Sequence, residues 1–231
     1  EASEVLRSTV IDLVVCMPGN ADNDAFDVAR DIKSRFPNIH CVVLTPFSHG
    51  ITKRMENEDL SIFDYVFCWL GNTNLILSII KLIEDKMNLE HDIQEAGVQM
   101  ILLVEDSIRF YSSILPNLYN YILEQSKNFS KEALNRHAAT MRMRGRPKVV
   151  LARTYEEAQK LYDKYSNNTL GVISDARFPL KSAAKAFGNK VETEAKPKHR
   201  TDTFGREKCP DAGLQLFRYI RKNDPFAVSY T

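Results

Sequence analysis

Thr169-Leu-Gly-Val-Ile-Ser-Asp175-Ala-Arg-Phe-Pro179 carries an apolar, strand-like run into a loop through a single carboxylate. Upstream, Gln99-Met-Ile-Leu-Leu-Val104 does the same and ends in Glu105-Asp106. In an open parallel α/β sheet, ligands gather beyond the carboxyl ends of the strands, at the point where strand order reverses. If these two runs are neighbouring strands, Glu105, Asp106 and Asp175 converge, and like charges that close call for a hard cation between them. Mg²⁺ is the expected ion, because it takes octahedral oxygen ligands, uses few carboxylates and binds phosphate oxygens as well. The competing local explanation is that acidic residues cap helix starts and populate loops. Their order, and their shared place after apolar runs, favours a site.

Outward from this pair, short apolar runs alternate with amphipathic ones along the whole chain. Ile11 to Met17, His40 to Thr45 and Asp64 to Trp69 read as strands in the first half. Ala25 to Phe36 reads as a helix with Val28, Ile32 and Phe36 on one face, and Asn74 to Met87 as another with Leu75, Ile79, Leu82 and Ile83 inward. In the second half, strand 99 to 104 leads to a long helix from about Ser107 to Phe129, with a kink expected near Pro116. Strand Lys148 to Ala152 precedes a helix opened by the capping box Thr154-x-x-Glu157, with Ala158, Leu161, Tyr162 and Tyr165 inward. After the Asp175 strand come a helix from about Asp211 to Lys222 and a last strand, Phe226 to Thr231. Seven strand candidates alternating with helices predict an α/β fold with parallel sheets.

The 231 residues are 44% hydrophobic and 26% charged, an ordinary globular composition that allows one or two domains. A net charge of +1 hides an asymmetry: residues 1 to 95 hold 16 acidic and 8 basic side chains, and residues 96 to 231 hold 14 and 23. The halves are therefore expected to attract each other or to face different partners. Cys16, Cys41, Cys68 and Cys209 show no C-x-x-C spacing, and the first three sit in apolar runs, so buried reduced thiols are expected rather than disulfides or zinc. No signal peptide and no membrane-spanning apolar run is present, which points to a cytosolic chain without membrane contact. The start at Glu1 without Met reads as a fragment.

The basic run Lys127 to Lys148 holds seven basic residues and one acidic, including Arg142-x-Arg144-x-Arg146. Such runs bind phosphate backbones through counterion release, but no recognition motif or aromatic platform accompanies this one. A solvated helix end, or a surface facing the acidic first half, is the better account, so nucleic acid is not an expected partner. His91, read as lying in a linker, and His137 lack partners at metal-ligand spacing. Tyr111, Tyr119 and Tyr162 fall at core-like helix positions.

The carboxylates at 105, 106 and 175 resemble the receiver domain of two-component response regulators. The resemblance implies that Glu105 and Asp106 are the Mg²⁺-binding acidic pair, Asp175 the phosphoacceptor, and Arg177 the residue whose backbone carbonyl completes the metal shell. Thr231 or Ser229 would supply the switch hydroxyl. It implies a flavodoxin-like, doubly wound parallel sheet in two tandem receiver-like domains, each incomplete. Residues 1–92 form a degenerate domain: Met17 stands at the phosphoacceptor position, Cys68 at the lysine and Trp69 where a proline commonly follows, and only Thr45 matches the switch hydroxyl. Residues 97–231 form the second domain, with insertions at about 126–147 and 181–208. No counterpart of the receiver lysine is found there.

A narrower resemblance rests on Met141 to Tyr162, Leu170 to Pro179 and Val104 to Ser113. These are similar to the receiver-like N-terminal region of a bacterial family of the phosphoenolpyruvate synthase or pyruvate phosphate dikinase type. Since neither a phosphohistidine motif nor a Gly-rich ATP loop occurs here, the chain is expected to be a regulatory front end of such an enzyme and not itself the catalyst. The implied partners are a histidine kinase or phosphotransfer protein and the attached catalytic domains. A homodimer is also open, since receivers often dimerise. The alternative function is a non-phosphorylated scaffold for protein–protein interaction. The polar insertion from Lys181 to Lys208, with eight basic and four acidic residues, falls where it would shield or reshape the site.

Overall fold

The computed structural model describes residues 2–18, 25–46, 60–181, 201–202, 206–225 and 229–230. The chain is mixed α/β and divides into two compact units, Glu1–Ile83 and Glu84–Thr231. In the first unit, helix α1 (Ala2–Ser8) precedes strands β1 (Leu13–Cys16), β2 (His40–Pro46) and β3 (Tyr65–Trp69), with helix α2 (Ala25–Arg35) between the first two strands. The strands form a parallel sheet in the order β1-β2-β3. Consecutive residues of β2 and β3 are buried, the pattern of strands covered on both faces. Helix α2 buries Phe26, Ala29 and Ile32, and Phe26 meets Phe63 edge-on with ring centroids 5.7 Å apart. Val28, expected to face inward, is instead exposed, because the buried stripe runs one residue out of phase through Ala29. Asp64 ties the sheet start together: it accepts from Cys41 N at 3.0 Å and pairs with His40 and Lys33.

Helix α3 (Asn74–Ala96) begins in the first unit and ends in the second. It runs well past the expected end at Met87, through His91 and beyond the boundary read at residue 92, and stops where Gly97 takes a φ of +59°. A chain of polar residues inside a helix period extends a helix as readily as it makes a linker when its inward positions, here Leu89 and Ile93, find a core.

The second unit contains β4 (Met100–Val104), α4 (Ile108–Lys131), α5 (Arg136–Arg144), β5 (Lys148–Ala152), α6 (Tyr155–Tyr165), β6 (Thr169–Ser174), β7 (Phe178–Pro179), β8 (Lys208–Cys209), α7 (Ala212–Asn223) and β9 (Ser229–Tyr230). A parallel sheet runs in the order β5-β4-β6-β9, and β7 pairs antiparallel with β8. Helix α4 is continuous through the buried Pro116. The segment read as an insertion near 126–147 holds the end of α4 and the whole of α5, a helix with no buried residue. Met100, Leu102 and Val104 pack with Ala158 and Tyr162 of α6 and Ala212, Leu216 and Ile220 of α7. Leu103 of the opposite parity is also buried, so both faces of β4 are covered. The expected capping box forms: Thr154 Oγ1 accepts from Glu157 N at 3.2 Å, and Glu157 Oε2 accepts from Arg153 N at 2.8 Å.

Beside the first residues of β5, the edge strand of this sheet, lies an ionic core. Asp85 of α3, fully buried, receives both terminal nitrogens of Arg146 at 2.7 and 3.0 Å, the Tyr119 hydroxyl at 3.0 Å and Val149 N at 2.9 Å. Lys148 pairs with Asp92 at 2.6 Å, and that contact holds the Asp92 carboxyl below its usual range although burial opposes it. The third arginine of the Arg142-x-Arg144-x-Arg146 run is thus inside the protein. Arg142 is bound locally, donating to Phe129 O at 2.8 Å with its guanidinium over the Phe129 ring.

Candidate metal centre

β4 is central in its sheet, with β5 on one side and β6 on the other, so chain order reverses beside it. The crevice beyond its carboxyl end is where such a sheet places ligands. The hydrogen-bond ladder continues past the strand ends: Glu105 N donates to Ala152 O at 3.0 Å, and Asp175 N to Val104 O at 2.9 Å. These bonds fix the backbone of both acidic loops to the sheet. The result is that carboxylate oxygens of Glu105, Asp106 and Asp175 all lie within 4.8 Å of one another.

The three carboxylates differ in setting. Asp106 is fully buried, and its Oδ1 has no hydrogen-bond partner. Glu105 is also buried and accepts from Ser107 N at 3.0 Å. Asp175 is half-buried, with Oδ1 accepting from Ala176 N at 2.7 Å. Burial pushes the Glu105 carboxyl up to about 7, and the nearby charges of Asp175 and Asp106 add to the rise. Burial raises Asp106 likewise, with Asp202 contributing and Lys208 opposing. An unpartnered buried carboxylate oxygen is costly unless something positive meets it. That deficit at Asp106, beside two further carboxylates, suits a hard divalent cation of the Mg²⁺ type, which Glu105, Asp106 and Asp175 would hold.

The Asp175 loop is braced from below by α7. Gly213 N donates to Ala176 O at 3.1 Å, and the helix backbone comes so close that a Cβ at Gly213 would overlap the Asp175 carbonyl oxygen and stand 3.1 Å from Ala176 Cα. Glycine is required there by contact, not by φ. Arg177 follows on the exposed turn leading into β7. Ser229 lies on β9, opposite Val172 of β6, and Thr231 lies outside the described residues.

One participant escaped the sequence reading. After β7 the chain returns through Asp202 and Arg206, a buried pair joined at 2.6 Å, to β8. There Lys208 Nζ stands 2.7 Å from Asp106 Oδ2, an ion pair by distance that lacks hydrogen-bond alignment. Lys208 closes the polar insertion between Asp175 and α7, and its distance along the chain from Asp106 left no local signal. Cys68 is buried and Met17 exposed, while Thr45 is buried and donates to Phe67 O at 3.3 Å, a strand-to-strand tie. Cys16, Cys41, Cys68 and Cys209 form no disulfide among the described residues, and burial, with Cys41 adding, pushes the Cys16 thiol up to about 11. His91 and His137 are exposed, and no helix among the described residues is long and apolar enough to cross a membrane. Compared with known protein families, curated proteins and solved structures, the chain matches none.

Proposed function

We propose that the second unit is a receiver that accepts a phosphoryl group on Asp175 with a divalent cation, of the Mg²⁺ type, held by Glu105, Asp106 and Asp175. The observation that carries this is the convergence of the three carboxylates around a fully buried Asp106 whose Oδ1 has no donor. Supporting it, the four strands of that unit's parallel sheet, numbered among themselves along the chain, run in the order 2-1-3-4, compatible with the flavodoxin-like doubly wound order. The order β1-β2-β3 of the first unit suits the third to fifth strands of a second such domain, with Met17 in place of an acceptor. In this reading an Asp175 oxygen attacks phosphorus as the bond to the donor imidazole nitrogen breaks. The electron pair leaves with the imidazole, which takes a proton from solvent, and an aspartyl phosphate remains. A divalent cation held by Glu105, Asp106 and Asp175 would supply the charge that offsets the phosphoryl oxygens and the attacking carboxylate. Arg177 would offer a backbone carbonyl to the metal, and Ser229 and Thr231 are the residues from which a switch hydroxyl would come. Phosphorylation adds about −1.5 to −2 charge beside the α7 N-terminus, enough to repack that helix and signal to attached domains of a phosphoenolpyruvate synthase or dikinase type.

The test is intact mass after incubation with acetyl phosphate, with and without Mg²⁺, for the parent and Asp175→Asn. A Mg²⁺-dependent adduct on the parent alone is expected. No adduct under any condition would leave the scaffold reading. That second reading has its own support, since Lys208 already neutralises Asp106 without any ligand.

A further inference from the structure

The acidic cluster holds a cation of its own. Lys208 Nζ reaches Asp106 Oδ2 at 2.7 Å, and its side chain is only 21% exposed, so water screens the contact weakly. Neither oxygen of that carboxylate meets an aligned hydrogen-bond donor, and the opposite one, Oδ1, is not in the ion pair either. A carboxylate that is fully buried can take an ammonium on one oxygen and a divalent cation on the other only by bringing two positive centres within a few ångströms of each other. The strand that carries Lys208 is two residues long and tied to β7 only through Phe178–Cys209 and Pro179–Lys208. The Asp202–Arg206 pair and the Thr201–Glu207 bridge hold the backbone just before it, so displacement of the ammonium falls on the flexible four-carbon side chain of Lys208.

Resting on the divalent-cation reading above, we infer that Lys208 is the affinity-determining residue of this site: a tethered ammonium that competes with the divalent cation for Asp106. In the cation-free protein, Lys208 supplies the charge that Asp106 lacks. A divalent ion at Oδ1 would repel the ammonium, so part of its binding free energy would go into displacing the Lys208 side chain. Two opposite effects follow from removing the lysine charge. The cation-free fold weakens, because Asp106 is left unpaired, and divalent affinity rises. A lysine that merely props the structure would move both in the same direction or leave affinity unchanged. Couplings between competing ligands run to about 5–150-fold, which sets the scale of the gain.

The experiment is Mn²⁺ titration of the whole chain, followed by electron paramagnetic resonance of free Mn²⁺, for the parent, Lys208→Met and Lys208→Arg, with thermal melts in chelator. The expected result is at least fivefold tighter Mn²⁺ binding and a lower cation-free Tm for Lys208→Met, with Lys208→Arg near the parent. Equal or weaker binding by Lys208→Met overturns the inference while leaving the cation site standing. No binding by any of the three overturns both. Should Lys208→Met fail to fold, the parent alone decides the matter through amine labelling and peptide mass spectrometry. Saturating Mg²⁺ should raise modification of Lys208 severalfold, and an unchanged yield overturns the competition.

Discussion

Asp85 should be the single most sensitive position in the second unit. Its carboxylate accepts four hydrogen bonds, two from the Arg146 guanidinium at 2.7 and 3.0 Å, one from Tyr119 at 3.0 Å and one from Val149 N at 2.9 Å. Arg146 is itself buried, and its remaining polar contacts are Pro147 O at 3.1 Å and the half-exposed Glu84 at 3.9 Å. Asp85→Asn keeps the volume and one acceptor oxygen but turns an NH₂ toward the guanidinium and strands its charge. Removing one partner of a buried pair costs about 3–5 kcal/mol. Neighbouring Lys148 cannot repair the loss, being a cation as well. Against a domain stability of about 5–15 kcal/mol, this predicts a large leftward shift in a urea melt followed by far-UV circular dichroism. Protection of the Val149 amide against hydrogen exchange should fall with it. Adding Arg146→Met to Asp85→Asn should restore part of the loss, since the stranded charge is then gone, giving a coupling of about 1.5–3 kcal/mol in the double-mutant cycle. A loss below about 1 kcal/mol for Asp85→Asn, or strict additivity with Arg146→Met, would refute the assignment of a buried charge-matched core.

Three further outcomes are expected. Gly213→Ala introduces a Cβ that overlaps the Asp175 carbonyl oxygen, so Mn²⁺ affinity and phosphoryl labelling should both drop, whereas labelling at parental rate would show that the Asp175 loop yields without consequence. Glu105, raised from 4.5 to about 7, keeps in the folded state a proton that the unfolded chain loses, so in chelator stability should fall as pH rises from 4.5 through 7. The slope carries about 3 kcal/mol and should be flatter in Glu105→Gln, and an unchanged slope in that variant would assign it elsewhere. Thr154→Ala removes the cap bond to Glu157 N, for which about 1 kcal/mol of stability should be lost in a urea melt, and a shift indistinguishable from zero would show that the Arg153–Glu157 bond alone holds the helix start.

Local chemistry made much of this protein legible before any coordinates. β5 occupies the expected residues Lys148 to Ala152, because five consecutive buried positions in a two-sided sheet need an unbroken apolar run, with the lysine at its edge paired to Asp92. The helix start at Thr154 was readable because a capping box is complete within four residues. The carboxylates at 105, 106 and 175 were found for a similar reason: each comes just after an apolar strand, and an α/β sheet gathers its strand-end loops at one edge. The pairings between residues distant along the chain were beyond the reach of sequence. Arg146 looked like part of a solvated basic run because its counter-charge, Asp85, lies 61 positions upstream. Lys208 looked like the end of a polar insertion, yet the β7–β8 pairing turns it onto Asp106. Periodicity put Val28 of α2 on the inward face, but the smaller Ala29 took that place when the helix packed. Backbone periodicity and capping are settled within a few residues, so the sequence determined the elements and the edge on which the acidic residues stand. Which opposite charges meet in the interior, and which cation the site keeps for itself, depends on how those elements dock, and only the tertiary structure decided it.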